Sequence, residues 1–155
     1  MDDDQHTQEP GPRSGDDLDQ LFVPRLGLSV STVVAIFVGG AVGTVARYEL
    51  DARHPIAPGH FPWVTLLINL SGSFAIGLLV PLTAFVTPRA PLPRALLIVG
   101  FLGGWTTYST LAVEATLLAK DGAIADFVSY LVATVVGGLA LVIVGTALGQ
   151  RLVPE

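Results

Sequence analysis

Cysteine is absent from this 155-residue chain, which excludes disulfides, thiolate metal sites and cysteine nucleophiles. Charge is nearly as scarce: Asp, Glu, Lys and Arg together make up 14% of the residues, against about 25% in an average soluble domain. It is also unevenly placed, since seven of the thirteen acids precede Leu21. The net charge of -5 therefore describes the N-terminal tail and says little about partners. There is no nucleophile–base–acid set, no glycine-rich phosphate loop ending in lysine, and no His/Asp/Glu cluster inside the apolar segments, so an enzyme is not expected. His54 and His60 share a proline-rich loop but lack the further ligands of a metal site. Basic patches interleaved with aromatics are missing too, which argues against nucleic acid as a partner. The acidic, polar N-terminus does not read as a secretory signal, so membrane targeting falls to internal segments.

What the chain does have is apolar length. Hydrophobic residues make up 51% of it and the mean hydropathy is +0.64. Residues 1–27 read as a disordered acidic tail and residues 28–155 as one four-helix membrane domain. Four apolar segments, 28–48, 63–85, 95–118 and 124–148, each come near the ~20 residues a helix needs to cross the hydrocarbon core. Unpaired backbone groups are not tolerated in lipid, and the runs lack the alternation of barrel strands, so an all-α multi-pass protein of the cell membrane is expected. "DARHPIAPGHFP" and "TPRAPLP" read as loops and "KDGAIAD" as a short turn, while Trp63 sits where an interfacial aromatic belongs. Arg25, Arg89, Arg94 and Arg151 flank one face; Arg53 and Lys120, with Arg47 close by, flank the other. That small bias leans toward cytoplasmic termini and is compatible with insertion either way. Gly39/Gly43, Ser73/Gly77, Thr134/Gly138 and Gly145/Gly149 have the small-xxx-small spacing of close helix packing. Four helices make a thin bundle, so lining an aqueous path calls for an oligomer, most simply a dimer.

The polar residues inside the spans are the candidates for function. Arg47, at the end of the first span, reads either as a snorkelling side chain or as a fixed positive charge at a vestibule. Asn69 must find partners in the bundle or in a cavity. In "GFLGGWTTYSTLAVE", Gly103-Gly104 is expected to interrupt the third helix, freeing carbonyls on one side and amides on the other. Thr106, Thr107, Ser109 and Thr110 can donate to an anion or back-bond to their own helix. Trp105 and Tyr108 add ring edges of partial positive charge.

At these residues the sequence resembles the Fluc/CrcB-type fluoride channel family, over roughly Leu28 to Leu148. "GGAVGTVARY" is similar to that family's first-helix motif, "WVTLLINLSGSFAIG" to its second and "GFLGGWTTYSTLAVE" to its third. The resemblance implies an antiparallel, dual-topology dimer with two fluoride pores. It also implies a central structural sodium ion on the backbone carbonyls of Gly103 and Thr106 of each subunit. By the same likeness Asn69, Tyr108, Ser109, Thr110 and Thr134 line the fluoride path and Arg47 is the vestibule arginine. Glu114 matches a recurrent acid after the third-helix motif. One departure is Leu111, where the family has a phenylalanine; it raises the alternative of a heterodimer with a paralogous subunit. A non-conducting assembly subunit is a further alternative. A small multidrug exporter would need a carboxylate within the first helix, and Glu49 is the only candidate.

Overall fold

The computed structural model describes residues 29–57, 59–86 and 91–153. Among them four helices are long and apolar enough to cross a bilayer. They are α1, Val30–Arg53, α2, Trp63–Val86, α3, Pro91–Lys120, and α4, Ile124–Arg151. At 1.5 Å per residue, a helix of 24 residues is about 36 Å long, enough for a hydrocarbon core of ~30 Å. The tail expected over 1–27, and with it Arg25, lies outside the described residues, as does Arg89.

Local signals set the helix ends. Ser29 caps α1, its Oγ accepting from the Thr32 amide at 3.2 Å. The helix runs five residues past its expected end, where the Glu49–Arg53 pair at 2.8 Å and the Arg47–Asp51 pair at 3.8 Å span successive turns, the spacing that supports a helix. At the end of α3, Gly122 has φ +74°. The Ala123 amide reaches back to the Leu118 carbonyl at 3.0 Å and the Gly122 amide to Ala119 at 3.2 Å. That double closure on a left-handed residue is a Schellman turn, for which glycine carries no Cβ penalty.

Two glycine-lined contacts assemble the bundle. The first half of α3 lies directly on α1: a Cβ at Gly100 would sit 2.7 Å from the Ile36 carbonyl oxygen, and one at Gly39 2.8 Å from the Phe101 amide. α2 meets α4 in the same way, with a Cβ at Gly149 falling 2.6 Å from the Leu78 carbonyl and one at Gly145 2.9 Å from the Leu78 amide. The small-xxx-small pairs Gly39/Gly43 and Gly145/Gly149 are thus helix-packing sites. Backbones this close gain dispersion and interhelical contact that lipid cannot supply. A third contact is made by side chains: Leu66, Leu111, Ala115, Leu118 and Tyr130 form the buried core between α2, the second half of α3 and the start of α4. Most other large apolar side chains, such as Val33, Phe37 and Ile143, face outward, as lipid-exposed helices require.

α3 is interrupted, as the sequence predicts, but the non-helical residues are Thr106 and Thr107. Gly103 keeps helical angles, φ -64° and ψ -34°. Gly104 is needed for another reason: a Cβ there would run into the Gly40 carbonyl of α1. The glycines bring the helix close to α1, and the threonines open it. Two stretches, Ala95–Leu102 in α3 and Ala133–Gly137 in α4, have the wider winding of a π-helix. Such irregular turns gather at functional sites, and the apolar sequence gives no local sign of them.

The glycine contacts predict a specific sensitivity. Gly145→Leu must push α4 off α2 and should destabilise the fold by at least about 1–3 kcal/mol, lowering the unfolding temperature in detergent. Ala140→Leu, on the exposed side of α4, should leave that temperature nearly unchanged.

Candidate functional site

The interruption of α3 leaves main-chain groups without helical partners inside the membrane, where each costs several kcal/mol if unsatisfied. Thr106 has φ -74° and ψ 153°, and Thr107 has φ -143° and ψ 126°, both extended. Asn69 on α2 answers both groups of one residue. Its Oδ1 accepts from the Thr107 amide at 2.8 Å and its Nδ2 donates to the Thr107 carbonyl at 3.0 Å. Asn69 and Thr107 are buried. The side-chain amide thus stands in for a neighbouring peptide, so the extended backbone is held in place.

Thr107 then starts the second half of the helix, Tyr108–Lys120. Its Oγ1 accepts from the Thr110 amide at 3.1 Å and donates to Thr110 Oγ1 at 2.9 Å, and Ser109 Oγ lies 3.3 Å away. This is an N-cap with two further hydroxyls gathered round it. Four amides lack intrahelical partners at any such start; with Thr110 capped, those of Tyr108 and Ser109 remain at the positive end of the helix dipole.

On the other side of the break, Thr106 closes the first half. Its amide and its Oγ1 both donate to the Leu102 carbonyl, at 3.0 and 2.9 Å. Arg47 Nε donates to the Gly104 carbonyl at 3.2 Å. Trp105 Nε1 donates to Ser71 Oγ at 3.0 Å, and its ring stacks on Phe101 with centroids 6.3 Å apart. Among the described hydrogen bonds none falls on the carbonyls of Gly103 or Thr106. Gly103 is exposed, and a Cβ on it would touch nothing within 4 Å.

One turn beyond Thr110, Glu114 is half-buried, accepting from Thr65 Oγ1 at 2.8 Å and from Tyr130 OH at 2.6 Å. Tyr130 is fully buried. Thr110 and Glu114 form one wall of a cavity of about 560 Å³ under the α1–α2 loop. On α4, Thr134 lies within the π-wound turn, and its buried hydroxyl has no hydrogen-bond partner among the described residues.

The structure therefore brings Asn69, Ser109 and Thr110 into one network through Thr107, and sets Arg47 and Thr106 against the same break. Tyr108 points away from the bundle, 82% exposed. Thr134 stands apart, with its hydroxyl uncommitted. Arg47 turns inward to Gly104 and Asp51. Leu111 belongs to the core, so in this chain its aliphatic side chain serves packing. Thr65 and Tyr130 were not among the expected site residues. Thr65 precedes Asn69 by four positions, which puts two polar groups on one face of an apolar helix, and that spacing was a usable signal. Tyr130 offered none.

The family model described as CrcB-like protein, camphor resistance, matches residues 34–146. A protein of Nocardia farcinica named fluoride-specific ion channel FluC 2 is 42% identical over 121 residues, covering 77% of this chain and 85% of its own. The protein named fluoride-specific ion channel FluC in Chlorobium luteolum is 41% identical over 115 residues, 74% of this chain and 88% of its own. Its namesake in Agrobacterium fabrum is 39% identical over 121 residues, 77% and 97% of the two chains.

Removing the Asn69 amide should cost more than an ordinary polar substitution. Asn69→Ala strands both a buried amide and a buried carbonyl, at about 1–3 kcal/mol each. The measurement is thermal unfolding in detergent, with the exposed Gln150→Ala as the control. A loss no larger than the control's would show that the break does not depend on Asn69.

Proposed function

The chain belongs to the CrcB family, and on that premise we propose that it is a fluoride channel, exporting fluoride passively across the cell membrane and so relieving fluoride toxicity. It is a multi-pass membrane protein and not an enzyme. The observation that carries the reading is the α3 break, held open by Asn69 at Thr107 and followed at once by helix-start amides and hydroxyls. Fluoride is small and strongly hydrated, so a narrow path must offer donors that replace its water. The amides of Tyr108 and Ser109, the hydroxyls of Tyr108, Ser109 and Thr110, and the unpartnered hydroxyl of Thr134 are donors of that kind. The Asn69 nitrogen carries a second hydrogen beyond the one given to Thr107. Helix starts favour anions through the same amides and dipole. Arg47 supplies fixed positive charge at the break, tempered by Asp51.

The outward exposure of Tyr108 and Gly103 supports a second copy completing the path, as an antiparallel dimer with two pores. The carbonyls of Gly103 and Thr106 fit a structural sodium ion: they end a half-helix, where the dipole is negative, and no described donor occupies them. When bound, sodium supplies the positive charge that lets such carbonyl ends face one another across a dimer axis. Arg47, Asn69 and Thr106's own bonds to Leu102 hold that backbone in position.

Vesicles containing only this chain should release fluoride, read with a fluoride electrode once the membrane potential is collapsed. Asn69→Asp puts a carboxylate oxygen against the Thr107 carbonyl and a negative charge beside the path. At several kcal/mol for a nearby unit charge, it should lower the flux at least tenfold. No flux from well-folded protein, restored by a paralogous subunit, would make the channel a heterodimer. No flux with any partner would overturn the reading. Sodium has its own readout: exchanging it for an organic cation should lower the unfolding temperature by several degrees, since a ligand bound only to the native state stabilises it by mass action. An unchanged temperature would remove sodium from the proposal.

A further inference from the structure

Four consecutive residues at the break are each fastened separately. Gly104 is held from α1 by Arg47, Thr106 by its own helix at Leu102, and Thr107 from α2 by Asn69. Trp105 ends the first half of α3 and is held by its side chain. Its ring stacks on Phe101 one turn earlier, with the two planes 8° apart. Its Nε1 donates to Ser71 Oγ on α2 at 3.0 Å, and Ser71 Oγ in turn donates its one proton to the Ile68 carbonyl at 2.9 Å. That second bond fixes the direction of the first: the hydroxyl has only lone pairs left to offer, and an indole N–H can only donate. Successive bonds of this kind strengthen one another where the dielectric is low. Gly72 makes room for the ring, since a Cβ there would lie 3.3 Å from Trp105 Cδ1 and would run into Thr106 Cγ2. On the α1 side, a Cβ at Gly43 would lie 3.0 Å from the Trp105 amide nitrogen. The last turn of a helix has no following turn to hold it and frays unless it is tied elsewhere. Trp105 stands two residues after Gly103 and one before Thr106, whose carbonyls are the ones proposed to face sodium. A phenylalanine at this position would keep the stack on Phe101 and lose the tie to α2.

We propose that Trp105 and Ser71 are positioning residues for the carbonyl end of the broken helix: their hydrogen bond fixes where the Gly103 and Thr106 carbonyls point and so sets the affinity for sodium. Partners behind a metal's ligands tune its binding by fixing the aim of the ligands, and here the two side chains act through the backbone and not as ligands. The inference rests on the sodium site proposed for this channel.

The test follows the unfolding temperature in detergent as sodium is titrated against an organic cation at constant ionic strength, for variants of equal oligomeric size. A ligand of the native state raises that temperature once its concentration passes the dissociation constant. The sodium midpoint therefore reads affinity separately from the stability of the sodium-free protein. Trp105→Phe and Ser71→Ala should each move the midpoint about tenfold higher, the low end of what removing a partner behind the ligands costs. The double variant Trp105→Phe/Ser71→Ala should move it no further than either alone, because both changes remove one bond. Ser71→Thr, which keeps the hydroxyl, should stay near the wild type. If one single variant fails to fold, the other carries the same prediction. A bond with a merely structural role would lower the sodium-free unfolding temperature and leave the midpoint in place. That result, or losses that add in the double variant, would overturn the proposal. A wild-type unfolding temperature indifferent to sodium would instead overturn the sodium site, and this inference with it.

Discussion

A side-chain amide bonded to both main-chain groups of one residue is the constraint on which this structure turns. Hydrocarbon offers no partner to a peptide, so an extended residue in the middle of a span either finds donors and acceptors within the protein or returns to helix. Asn69 offers one of each, spaced as a peptide spaces them, and Thr107 uses both. The break in the third span follows from this. Thr107 is free to cap the next helix because its own backbone is satisfied from α2. The second half of α3 therefore begins at a defined residue, with its amides aimed from a fixed point.

A broken helix has two ends of opposite polarity, and this one presents them within a few residues of each other. The first half ends in carbonyls and the second begins in amides. Arg47 takes the Gly104 carbonyl, which leaves the carbonyls of Gly103, Trp105 and Thr106 at the negative end without a donor among the described hydrogen bonds. That arrangement is possible only because α1 lies against α3 with no side chain between them at Gly39, Gly43, Gly100 and Gly104. A single methyl at any of these positions would move α1 outward and carry the guanidinium with it. Packing by glycine is thus what brings a cation to the break, and the polar site inherits its geometry from apolar helix contact.

The four spans and the closing turn at Gly122 were legible in the sequence because length, hydropathy and a left-handed glycine are local signals. That α3 breaks was legible too, through the crowding of glycines and hydroxyls. The residue at which it breaks was not. Gly103-Gly104 is the obvious weak point by propensity, yet both residues stay helical, since α1 needs the space at Gly104. The extended residues are β-branched threonines, and the side chain that satisfies Thr107 lies 38 positions earlier. No local rule couples those positions; only the packing of α2 against the break does. The same holds for Glu114, whose hydroxyl donors come from Thr65 and Tyr130, 49 and 16 residues away. Leu111 shows the converse. Read as a motif position it looks like a lost ring, whereas its neighbours Leu66, Leu118 and Tyr130 make it an ordinary core residue.

If the break lies on an anion path, as proposed above, the placement of Glu114 bears on how such a path can hold an acid at all. A bare carboxylate beside a narrow anion route would repel the ion across several ångströms of low dielectric. Here each carboxylate oxygen accepts one short hydroxyl bond, from Thr65 and from Tyr130, which draws donor dipoles onto the charge and softens its field. Those two hydroxyls are then committed. The donors left for an anion are the ones the break creates and the one on α4: the amides after Thr107, the hydroxyl of Thr110, and the unpartnered Thr134. The donors around the acid are committed; around the break the Ser109 hydroxyl is held by Thr107 Oγ1, while the helix-start amides and the Thr110 and Thr134 hydroxyls have no acceptor among the described residues. On the fluoride-channel reading proposed above, those free donors are the ones that take an ion from water and give it back.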